Sequence, residues 1–79
     1  MGRINEIRCC NNISPEEGLE SLIDSYAGDY GHYEPVTEKS LDAHWEEQDR
    51  WDVTDLVTKE KLRTSVKEGK PWFWFSIHE

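Results

Sequence analysis

The sequence is poor in the features that mark secreted, membrane or metal-binding proteins. It has only two cysteines, the neighbours Cys9 and Cys10. Adjacent residues close a disulfide only through a strained small ring, so two free thiols and a reducing compartment are expected. The longest uninterrupted apolar run is Trp72-Phe73-Trp74-Phe75, far short of the roughly 18 residues that a membrane span needs. Met1 to Glu6 contains no apolar stretch of the kind found in a secretory signal. A cytoplasmic protein is therefore expected. Zinc-type spacing is also missing, since neither Cys nor His residues recur at the short intervals that structural sites use. Gly28 and Gly31 lack the following Lys and the strand-to-helix setting of a phosphate loop. No spacing pairs Cys9, Cys10 or a serine with an activating base, and carboxylate pairs occur throughout residues 16–55 without singling out any two. The expectation is a protein that is not an enzyme and that carries no cofactor and no metal.

The chain has 79 residues, enough for one small domain spanning 1–79 and no second core. Hydrophobic residues make up 35% and charged residues 33%, so the core must be thin. Four Trp, three Tyr and two Phe supply large apolar surfaces that disordered chains lack. The net charge of -8 is unevenly spread: residues 9–58 hold 13 of the 17 acids against only Lys39 and Arg50, whereas both ends are slightly basic. Such a field repels nucleic acid and anionic lipid and speeds association with cationic surfaces. Neither direct nucleic-acid binding nor membrane association is expected.

Ser14-Pro15-Glu16-Glu17 combines a Ser N-cap, Pro at the first helical position and Glu three residues after the cap, so a helix starts there. Leu19, Leu22, Ile23 and Tyr26 form its apolar stripe, with Gly28 placed to end it in a left-handed conformation. Residues 28–35, with Gly28, Gly31 and Pro35 around Tyr30 and Tyr33, read as a loop that presents aromatics. Thr37 caps a second helix from about Glu38 to Arg50, in which Leu41, Trp45 and Gln48 share a face flanked by His44 and Trp51. His44 there reads as a packing residue. Beside that face, Glu38, Asp42, Glu46 and Asp49 fall within about 80° of arc and form a carboxylate stripe.

Val53, Leu56 and Val57 suit either a short strand or a helical turn. A third helix runs from about Lys59 to Glu68, capped by Thr58 and ended by Gly69 and Pro71. Residues 72–78 are the strongest strand signal, with apolar side chains on both faces. Both faces are therefore covered within the monomer, or one of them is an interaction surface. Residues 3–10 suit a pairing strand, although Ile4 and Ile7 do not alternate. The expected fold is α+β, with two to three amphipathic helices on a small antiparallel sheet that includes the aromatic C-terminal strand.

The uncompensated carboxylates lie beside Trp45, Trp51, Tyr30 and Tyr33, residue types that anchor interfaces. A row of anions at this period fits a groove that holds a nucleic-acid backbone and pairs with the same Arg and Lys side chains. The expected function is a small acidic inhibitor that occludes a basic nucleic-acid-handling protein. Its contacts would be Glu38, Asp42, Glu46 and Asp49, then Asp52, Glu17, Glu20 and Asp24, with Tyr30 and Tyr33 as anchors. In size, acidity and lack of catalytic motifs the chain resembles small phage-encoded anti-restriction and anti-CRISPR proteins and the acidic immunity proteins that block nucleases. That resemblance implies inhibition through nucleic-acid mimicry and assigns no residue. The competing expectation is a non-catalytic assembly module, for instance a homodimer with Trp72 and Trp74 as its seam.

Overall fold

Two strands from opposite ends of the sequence form the centre of the structure. In the computed structural model, which describes residues 2–44, 52–53 and 58–79, the elements follow the order β1 (Arg3–Cys9), α1 (Pro15–Ser25), β2 (Tyr30–Pro35), α2 (Glu38–His44), β3 (Asp52–Val53), α3 (Lys59–Lys67) and β4 (Trp72–His78). The sheet order is β2-β4-β1-β3. Strand β4 pairs antiparallel with both β1 and β2, and the two-residue β3 joins β1 in parallel. The α+β architecture is as the sequence implies, with the short parallel strand as an addition. Among the described residues, no helix is long and apolar enough to cross a membrane.

The central position of β4 explains its composition, because a strand covered on both faces needs apolar side chains at successive positions rather than alternate ones. Phe75 and Ile77 face α1 and pack with Leu22, Cys10, Ile4, Leu19, Ile23, Tyr26, Tyr33 and Phe73. Trp72 and Trp74 face the other way, into a cluster with Ile7, Val36, Leu41 and Leu62. Each of these tryptophans ties down one helix: the Trp74 indole N–H donates to Ser40 Oγ on α2 (2.8 Å), and that of Trp72 to Ser65 Oγ on α3 (2.9 Å). Both rings are nearly solvent-free. The expected dimer seam is thus the interior of a single chain, and the strand that carries it has no free edge. The same two-sided burial accounts for β1, where Ile4 and Glu6 lie on the α1 side and Ile7 and Cys9 on the other.

All three helix starts are held as their sequences suggest. Ser14 Oγ accepts from the Glu17 N–H (3.2 Å), and Thr58 Oγ1 accepts from the Lys61 N–H (3.2 Å). Thr37 and Ser40 cap α2 reciprocally, each hydroxyl accepting the other residue's N–H (3.1 and 2.8 Å). The described part of the second helix ends at His44; Trp45 to Arg50, expected to continue it, lie outside the described residues, as do Trp51, Leu56 and Val57.

Two sequence expectations are corrected. The left-handed residue after α1 is Ala27 (φ 54°), not Gly28. The Gly28 N–H bonds back to the Ile23 carbonyl (2.8 Å) and that of Ala27 to the Asp24 carbonyl (3.3 Å), which closes a Schellman cap. Gly28 is instead a point of close approach, because a Cβ there would stand 2.5 Å from Ile77 Cγ2. An alanine forced into the left-handed region costs about 1–2 kcal/mol. Ala27→Gly should relieve part of this against its own entropy cost, raising stability by about 0.5–1 kcal/mol. A urea-unfolding midpoint no higher than that of the unmutated chain would contradict the cap.

The second correction concerns residues 30–35, which form strand β2 rather than a loop. The glycine and proline that suggested a loop serve packing here. Gly31 lets β2 close onto β4, and Pro35, which has no N–H to give, ends an edge strand.

Candidate functional site

The acidic stripe of α2 meets a basic helix. Packing of α3 against α2 sets Arg63 beside Glu38 (3.8 Å) and in close contact with Asp42, while Lys67 Nζ lies 3.6 Å from Glu38. The mildly basic C-terminal third of the sequence thus compensates the first two members of the stripe. The side chains of Glu46, Asp49 and Asp52 lie outside the described residues.

Helix α1 is different. Glu16, Glu17, Glu20 and Asp24 are all exposed, and none forms an ion pair with a described residue. Its apolar side is committed to the sheet, which turns these carboxylates outward in a row with neighbours about 5–6 Å apart. Asp24 stands in the last turn, where no basic residue is found. A carboxylate there faces the negative end of the helix dipole, and replacing it with a cation would gain about 0.3–1 kcal/mol. Helix stability accounts for Glu16 and Glu17 in the first turn but not for the continuation of the row to Asp24. Of the acids expected at an interface, Glu17, Glu20 and Asp24 are the ones placed together on an unpaired surface.

Tyr30 and Tyr33 do not act as a joint anchor, because they fall on opposite faces of β2. Tyr33 is half-buried on the α1 side, edge-on to Phe73 (centroids 5.8 Å, 79°). Tyr30 is 61% exposed on the other side and stacks on His78 (4.5 Å, 8°).

That other face carries a group of residues not evident in the sequence. Strand register sets Arg3, His78 and Tyr30 in one row across β1, β4 and β2, and Asn5, Ser76 and His32 in the next. Glu34 lies in a third row beside Trp74, which leads into the core. His44, from the end of α2, packs edge-on to Trp74 (5.7 Å, 74°), in keeping with its reading as a packing residue, and its Nε2 lies 3.7 Å from Glu34 Oε1. His32 lies over His78 at 5.7 Å. All three histidines of the chain therefore gather on this face, His32 and His44 lining a cleft of about 120 Å³ and His78 beside His32. Their separation in sequence, at 32, 44 and 78, gave no sign of this; strand pairing sets His32 beside His78, and packing of α2 on Trp74 adds His44.

The thiols point to opposite layers, Cys9 towards the tryptophan cluster and Cys10 into the α1 core. Burial pushes the Cys10 thiol up, with a smaller contribution from Cys9, against a lowering by Arg8. A protonated, buried thiol is a poor nucleophile. Glu6 is a buried carboxylate that receives Arg8 on Oε1 (3.0 Å). Among the described residues, no group of three or more His, Cys, Asp or Glu side chains is arranged to hold a metal ion. Comparison of the chain with protein-family models, curated proteins and solved structures finds no match.

Proposed function

We propose that the chain is a small non-catalytic binding domain that docks the carboxylate row of α1 onto a cationic surface of a nucleic-acid-handling protein and occludes it. The observation that carries this reading is the outward row Glu16, Glu17, Glu20 and Asp24, unpaired with any described residue and continued through Asp24 into the last turn, where helix stability alone favours a base. Carboxylates a few ångströms apart along a rigid rod offer Arg and Lys side chains what a phosphate backbone offers them. The excess of negative charge on the whole molecule would steer encounter, with a rate that salt suppresses. Binding would work by competition for the groove.

The double variant Glu20→Lys/Asp24→Lys tests this without endangering the fold, since both positions are exposed and a Lys suits the end of α1. In affinity capture from the native host's lysate at low salt, the unmutated chain should retain a basic protein that excess duplex or single-stranded nucleic acid displaces. The double variant should bind that protein at least about tenfold more weakly, mainly through slower association. Asp42→Lys should matter less, because Asp42 is already engaged by Arg63. Retention undiminished by the double variant, or indifferent to competing nucleic acid, would reject the reading.

A further inference from the structure

The cleft at the histidine end of the sheet has a composition at odds with the rest of the molecule. On a chain of net charge -8, its lining brings together Arg3, His32 and His44, with His78 stacked behind His32. Among the described residues the only carboxylate in the lining is Glu34, and His44 faces it at 3.7 Å. Asn5 adds a neutral donor: its Oδ1 accepts from Ser76 Oγ (3.0 Å), while its Nδ2 donates to no described residue. The lining thus offers one fixed cation, two groups that become cations on protonation and an amide N–H.

We propose that this cleft binds a small tetrahedral oxyanion, of phosphate or sulfate type, with uptake of protons by His32 and His44. The volume of about 120 Å³ is some four times the share of one water in the liquid, which suits a single oxyanion. Among the described residues, the charged and titratable groups lining the site are Arg3 from β1, His32 and Glu34 from β2 and His44 from α2, with His78 of β4 and Tyr30 of β2 stacked in turn behind His32. When His44 is protonated it neutralises Glu34, the one described lining group that opposes an anion, so both events favour the bound state. At a Debye length of about 8–10 Å, the acids on α1 across the sheet are largely screened from the site. Anion binding and protonation of His32 and His44 are linked, so affinity rises as the pH falls.

Sulfate is the probe of choice, since its own charge is constant over this range. The midpoints of the three histidines are followed through their ring protons by NMR, in sodium sulfate and in sodium chloride of equal ionic strength. Sulfate should raise the midpoints of His32 and His44, and its affinity should rise at least about tenfold from pH 7.5 to pH 5.5. Arg3→Gln, at an exposed position, should weaken binding at both pH values. His32→Gln, on the edge strand, should flatten the pH dependence while leaving the remainder of the spectrum native. Phenyl phosphate separates two sources of the anion: tighter binding that Tyr30→Ala abolishes marks a monoester, and equal binding marks the free ion. Histidine midpoints that are the same in sulfate and chloride, or binding unaffected by both Arg3→Gln and His32→Gln, would overturn the proposal. Failure here leaves the α1 reading intact, because α1 covers the opposite face of the sheet.

Discussion

Trp74→Ala should remove most of the stability of the protein. Trp74 is among the fully buried side chains, in the middle of the central strand, and it touches both the β1 partner Ile7 and the helical layer. Truncating a buried Trp costs about 3–5 kcal/mol, through lost transfer energy and the void left behind. A 79-residue domain has roughly 4–12 kcal/mol in total at the usual stability per residue. The substitution also removes the indole N–H that ties Ser40 and α2 to the sheet. Trp74→Phe should retain most of the packing and lose less, about 1–2 kcal/mol. Urea unfolding of the three proteins measures both steps. A loss below about 1 kcal/mol for the alanine variant would mean that α2 and α3 do not cover this face as described.

Gly31→Ala should be the most damaging single-methyl change in the chain. A Cβ at this position would meet the Ser76 carbonyl oxygen at 2.6 Å, Leu19 Cδ1 at 3.0 Å and Ile77 Cδ1 at 3.1 Å. The first of these atoms is backbone in the central strand and cannot rotate aside, so β2 itself must move. Overpacking of this kind costs about 1–3 kcal/mol, and the upper part of that range is expected where the clash is with backbone. The displaced strand carries Tyr30, His32 and Glu34, so the histidine ring signals should shift as well. An alanine variant as stable as the unmutated chain, with those signals unmoved, would show that β2 does not close onto β4 at the distance described.

These two residues also mark the boundary of what the sequence disclosed. Helix starts were legible because capping is local: Ser14, Thr37 and Thr58 each act within three residues of themselves. The aromatic strand was legible because no polar face interrupts it. Strand β2 was not, because Gly31 and Pro35 carry the usual marks of a loop, and only the proximity of Ser76 and Leu19 reveals why glycine is needed. The carboxylates of α2 looked uncompensated because Arg63 is 21 residues from Asp42 in sequence, beyond any helical spacing rule. The histidine cleft was hidden for the same reason. Its members belong to four elements, and their meeting depends on the register of β4 against β1 and β2 and on the packing of α2 against Trp74.

The pairing of β1 with β4 has a kinetic consequence. The most buried ladder in the molecule joins residues 3–9 to residues 72–78, so nearly the whole intervening chain must be looped out before its first hydrogen bond forms. Closing a loop of this length costs about 4 kcal/mol of chain entropy, and no nearby contact offsets it in advance. Folding should therefore be slow for so small a protein, since the middle strands β2 and β3 also find their partners only in the two outer segments.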